Sequence, residues 1–276
     1  MLMPLQIDWL SPLEIPIIRH AFFGLVLAGG MISLLGVIII TFNLSVIRFT
    51  LMHVGLLGAA VTMGLGLNPT TGAFILIMAV SVLMGSLGER INLSINAISG
   101  FFMTGSMGLA FIVLSRYQVR AMDIFGIFAG NILFLSKFDL ILVALLGVLI
   151  VGIFFFFYRE IQLVLLDKEL ATTLGVPVGR IRMLLFLLLG ASMAISLRLV
   201  GALLVDSLIL LPAMAALPLA KGLNSALVLT SIFGILSTST GFLVALRYDL
   251  PVGASVAVVG CFFLMVSLVF QRRKVK

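Results

Sequence analysis

Residues 182–218 read RMLLFLLLGASMAISLRLVGALLVDSLILLPAMAALP, and how this stretch divides decides the fold. Its only charged side chains are Arg182, Arg198 and Asp206. One straight helix over it would extend about 55 Å at 1.5 Å per residue, well beyond the ~30 Å hydrocarbon core of a bilayer. The stretch therefore reads as two spans turning near Arg198 to Gly201. That division sets Arg198 at an interface and leaves Asp206 inside the second span.

The remainder of the chain extends this pattern. Hydrophobic residues make up 62% of the 276, charged ones 10%, and mean hydropathy is +1.34. A soluble domain runs nearer half apolar and a quarter charged, so lipid must be the solvent for much of this surface. The net charge of +7 does not mark a nucleic-acid binder. Its cations stand singly between apolar runs, apart from those of the terminal segment 271–276, and loop cations of that kind report topology. Cys261 is the single cysteine, which rules out an internal disulfide and a cysteine metal cluster. Residues 1–16 lack a basic n-region with a cleavage site and read as an interfacial segment anchored by Trp9.

Apolar runs long enough to span fall at 20–42, 49–67, 72–88, 97–115, 139–158, 182–197, 199–218, 226–246 and 252–270. The reading is an all-α polytopic membrane protein forming one transmembrane domain over 1–276, with about nine spans in a range of eight to ten. Nine spans put the termini on opposite sides. With the C-terminus cytoplasmic, Lys and Arg concentrate in the inner loops and in a basic tail, 271–276, as the positive-inside rule requires. Ala121 to Ser136 is apolar but short, and reads either as a re-entrant helix on the outer side or as an interfacial one.

The longest cytoplasmic segment, 159–181, carries a helix of its own. Asp167 is the N-cap, Glu169 stands in the first turn, Ala171 to Leu174 continue the helix, Gly175 stops it and Pro177 prevents its return. So short a helix is marginal alone and needs something to pack on, either another protein or its own membrane domain.

The acidic-x-acidic-Leu-Ala-x-x-Leu-Gly pattern over Asp167 to Gly175 resembles the coupling helix of ABC importer permeases, which docks into a groove of the ATPase subunit. More narrowly, residues 17–270 resemble the permeases of the zinc, manganese and iron importers. Val200-Gly201-Ala202-Leu203-Leu204-Val205 with Leu210-Leu211-Pro212-Ala213 is similar to that family's VGxLLV…LPA segment. Phe128-Ala129-Gly130-Asn131-Ile132-Leu133, followed by Ser136 and Asp139-Leu140, resembles its FGNIL…DL stretch. Asn43-Leu44-Ser45, His53, Gly58 and Leu67-Asn68-Pro69 match the register of its second helix.

The resemblance implies a homodimeric permease in the cell membrane. It would be served by a separate ABC ATPase and an extracytoplasmic metal-binding protein, with a divalent metal ion as cargo. It also implies that Asp167, Glu169, Leu170, Ala171, Leu174 and Gly175 form the coupling surface. No cofactor is expected on this chain, and ATP belongs to the partner: no Gly-x-x-x-x-Gly-Lys-Ser/Thr loop is present. No enzyme constellation appears either.

In that family the second helix usually carries Asp-x-x-x-His, two side chains on one helix face. Here the positions are Phe49 and His53, so the histidine is present and the acid is not. Asp206, a carboxylate within an apolar run, has no basic residue within a turn of it on its own helix. It must face a bundle interior or a watery cavity and find its partner on another helix, in a cation or in a proton. His53 and Asp206 are the candidate pathway residues, and a pairing of the two would replace the missing acid. Two other readings stay open: a secondary transporter driven by an ion gradient, and an ABC permease for a chelated or non-metal substrate.

Overall fold

The computed structural model describes residues 14–90, 93–118 and 136–274. Among them there is no strand. The helices are α1 Pro16–Met31, α2 Leu34–Thr41, α3 Ser45–Gly64, α4 Pro69–Arg90, α5 Ile95–Tyr117, α6 Lys137–Phe156, α7 Tyr158–Leu166, α8 Lys168–Thr173, α9 Val178–Val200, α10 Ala202–Ala216, α11 Leu223–Tyr248 and α12 Val252–Lys274. Among the described residues, eight helices are long and apolar enough to cross a membrane, α1 and α2 counting as one over Pro16–Thr41.

The divided stretch behaves as its length requires. α9 ends at Val200, Gly201 takes φ +86°, and α10 begins at Ala202. That φ lies in the left-handed region, where a β-carbon is costly and glycine is not. α10 covers only about 22 Å at 1.5 Å per residue, short of the ~30 Å hydrocarbon core. The expected span 199–218 is therefore a short apolar helix, continued by one 3-10 turn at Leu217–Leu219.

Two other expectations change. The segment 159–181 is not a loop with one helix: it holds α7, then α8, then the first turn of α9. Residues 271–274 are no separate tail, because α12 continues through Lys274. The interfacial reading of 1–16 and the re-entrant reading of 121–136 fall mostly outside the described residues. Ser136 itself is the N-cap of α6, accepting from the Asp139 backbone N–H at 3.2 Å while Asp139 accepts from the Ser136 N–H at 3.1 Å.

The helices sort into two groups. α3, α4, α5 and α9 pack on one another. α1, α2, α10, α11 and α12 form the second group, and α6 bridges α1 and α9. One buried apolar core runs through both, including Leu25, Leu35, Ile47, Leu51, Ile77, Phe186, Leu208 and Phe242. Within each group, close crossings are made by small residues, as expected where lipid removes the hydrophobic drive between helices. α3 and α4 touch backbone to backbone at Gly58 and Gly72. A β-carbon on Gly58 would stand 2.3 Å from the Gly72 carbonyl oxygen. Gly58→Val should therefore push the two helices apart and cost about 3 kcal/mol, at the upper end of overpacking penalties. A denaturant titration of the solubilised protein would measure it, and an unchanged midpoint would contradict this crossing.

Candidate functional site

α7 and α8 lie at the end of the bundle where α6 finishes and α9 starts. α7 is amphipathic: Ile161 and Val164 are buried in the common core, while Tyr158, Arg159, Glu160 and Gln162 interrupt its apolar pattern. Asp167 then leaves the helical region at φ −157°, ψ 116°, and its carboxylate accepts from the backbone N–H groups of Glu169 at 2.8 Å and Leu170 at 3.1 Å. Two of the four orphan donors of α8 are thereby satisfied.

The other end is closed as tightly. Gly175 has φ +79°, its N–H donates to the Thr172 carbonyl at 3.0 Å, and the Val176 N–H donates to the Ala171 carbonyl at 3.0 Å. This pair of bonds is the Schellman arrangement, and it needs a left-handed residue where Gly175 stands.

Capping fixes the face that α8 presents. Ala171 is fully buried against the bundle, whereas Leu170 is 49% and Leu174 61% exposed. Leu166, just ahead of the cap, is exposed as well. A helix of six residues is thus held rigidly by its caps and one buried methyl, with leucines turned outward.

The second feature lies within the bundle. Arg48, in the first turn of α3, is only 3% exposed, and its guanidinium forms an ion pair with the Asp206 carboxylate on α10. The same nitrogen, Nη1, lies 3.5 Å from the Asp206 backbone carbonyl oxygen. The Arg48 Nε is buried and has no hydrogen-bond partner among the described residues. Arg48 falls in the gap between the apolar runs 20–42 and 49–67, where a loop cation is expected, yet it lies within α3. Its place in the i, i+3, i+4 series Leu44, Ile47, Arg48, Leu51 is the signal that it belongs to the buried face of the helix.

The expected pairing of Asp206 with His53 does not occur. No hydrogen bond joins the two, and Arg48 takes the carboxylate. His53 is half-buried, and its Nδ1 lies 2.7 Å from the Phe49 carbonyl oxygen one turn back on α3. A carbonyl only accepts, so Nδ1 is the donor of this bond, and Nε2 is the ring nitrogen left to face a ligand. Histidine ligands to metals are oriented in the same way, through the other ring nitrogen. Phe49 itself is exposed on α3. Among the described residues no three His, Cys, Asp or Glu side chains gather into a metal site. One chain therefore offers a single imidazole nitrogen at this level, beside an aromatic ring.

The family model described as the ABC 3 transport family matches residues 14–271. The chain belongs to that family. Among its relatives, the ABC 3 chain is 26% identical over 256 residues to the high-affinity zinc uptake system membrane protein ZnuB of Haemophilus influenzae, covering 91% of this chain and 98% of that one. It is 25% identical over 257 residues to the manganese transport system membrane protein MntC of Halalkalibacterium halodurans, covering 93% and 88%. In fold it is similar to a chain of PsaBC from Streptococcus pneumoniae, solved in complex with Fab, with a TM-score of 0.78, 23% identity and 94% of each chain covered. The match spans both helix groups of this ABC 3 chain, α10 and the α7–α8 segment included, so all of the site residues above lie within the family region.

Proposed function

We propose that this chain is the permease subunit of an ATP-driven importer of a divalent transition-metal ion: zinc, manganese or iron. The observation that carries the proposal is α8, a helix capped at both ends that turns Leu170 and Leu174 away from its own domain. Leucines that add little to their own domain's core suit an amphipathic helix laid into a groove of an ATPase subunit. Membership of the ABC 3 family and the names of the zinc and manganese relatives support the cargo class.

In this reading two copies line a central pathway in the cell membrane, with the α8 end and the C-terminus cytoplasmic. An extracytoplasmic binding protein delivers the metal at the opposite end. ATP binding draws two ATPase subunits together, the paired α8 elements move with them, and α9 carries the displacement into the bundle. His53 Nε2 from each copy offers the cargo a weak, transient donor, which suits a path that must release what it binds. The metal is substrate, and none is retained.

The test is purification of the tagged chain in mild detergent from cells that make the whole transporter. An ATPase subunit should follow it in equal amount. A chain that purifies without one overturns the proposal.

A further inference from the structure

We propose that Arg48 and Asp206 are a positioning pair for transport: they fix α10 against the first turn of α3, and with it the face that carries Phe49 and His53. The inference rests on the importer reading and adds to it a residue pair with a stated task.

Its basis is where the pair sits. Thr50 Oγ1 donates to the Ser99 carbonyl at 2.9 Å and Arg182 Nη2 to the Gly85 carbonyl at 3.4 Å, both inside the group of α3, α4, α5 and α9. Ser33 Oγ donates to the Thr230 carbonyl at 3.5 Å and Ser267 Oγ to the Ala215 carbonyl at 2.5 Å, both inside the group of α1, α2, α10, α11 and α12. Arg48 and Asp206 join one group to the other. α3 and α10 otherwise barely touch, and α10 packs mainly on α12, α11 and α2.

α10 also has reason to need a peg. It begins at the Gly201 break, and Pro212 inside it lacks the N–H that would bond to Leu208. Ser267 holds α10 to α12 within its own group, whereas toward α3 the directional contact is that of Asp206 with Arg48. A buried charge pair is a poor source of stability, since apolar residues of similar volume often do as well or better. Fixing register is its best-attested use.

A displacement entering at α8 reaches α9 directly, passes the Gly201 turn to α10, and returns through Asp206 and Arg48 to the residue next to Phe49. Without the pair the first group can move while α10 lags, and ATP is spent without import.

The experiment compares wild type with the double variant Arg48→Met, Asp206→Asn in proteoliposomes, each assembled with its ATPase and binding protein. Zinc or manganese uptake is counted per ATP hydrolysed. Removing both charges leaves no buried ion, so the double variant should assemble. Import per ATP should nevertheless fall tenfold or more. Asp206→Glu, which keeps the pair, should hold at least a third of the wild-type ratio. A double variant whose import per ATP stays within twofold of wild type overturns the proposal and leaves the pair a structural contact. Should the double variant not assemble, Arg48→Lys is measured instead. It keeps the charge but loses the planar fork, and is expected to lower the ratio about threefold; an unchanged ratio overturns the proposal. A wild-type complex that imports no metal on ATP overturns the importer reading itself, whatever the variants do.

Discussion

Replacing Leu170 and Leu174 together with aspartate should abolish capture of the ATPase subunit while leaving the membrane domain folded. Both side chains are exposed, at 49% and 61%, so neither contributes much to the chain's own core. At the centre of an interface, large apolar residues whose removal costs 2 kcal/mol or more are common. Two such losses, made worse by burying unpaired carboxylates, correspond to about a thousandfold in affinity. Asp167→Ala makes a useful contrast. It removes the acceptor for two backbone N–H groups and should cost α8 about 1 kcal/mol, loosening the helix without changing its docking face. Binding of purified ATPase subunit to immobilised permease measures both. Equal affinity for the double aspartate variant and the wild type would remove α8 from the interface.

The largest loss of stability should come from Asp206→Ala. Truncating its partner leaves the Arg48 guanidinium almost wholly buried without the carboxylate it pairs with. Breaking a buried pair from one side costs about 3–5 kcal/mol. Ser207→Ala, one position on, removes a buried hydroxyl that bonds within its own helix to the Leu204 carbonyl and should cost less than about 1 kcal/mol. Adding Arg48→Met to the Asp206 variant should restore most of the lost stability, because no unpaired ion then remains. Denaturant midpoints of the four solubilised proteins provide the comparison. Equal midpoints for Asp206→Ala and Ser207→Ala would contradict a buried Arg48.

What the sequence makes legible here is local. The turn at Gly201 follows from helix length against bilayer thickness. The caps of α8 follow from Asp167, Gly175 and Pro177, because capping is decided by residues a few positions apart. α7 escaped detection because Arg159, Glu160 and Gln162 break its apolar pattern, and its Ile161 and Val164 stripe is only two residues long. Asp206 was legible as a carboxylate in need of a partner, but the partner was not. Arg48 is 158 positions away in sequence, and no spacing rule connects the first turn of α3 to α10. The division into two helix groups was hidden for the same reason. Small residues mark crossings without saying which helices cross, so Gly58 gives no sign of Gly72 until the chain is folded.

On the proposed function, this chain forms the path of an ATP-driven metal importer and is coupled to its ATPase through α8. The most direct test uses the purified permease, its ATPase subunit and its binding protein in sealed proteoliposomes, with the accumulation of radioactive zinc or manganese followed with and without ATP. Accumulation should require ATP and should be lost when Leu170 and Leu174 are both aspartate. Metal uptake that proceeds at the same rate without ATP, or that survives that substitution, would contradict the account.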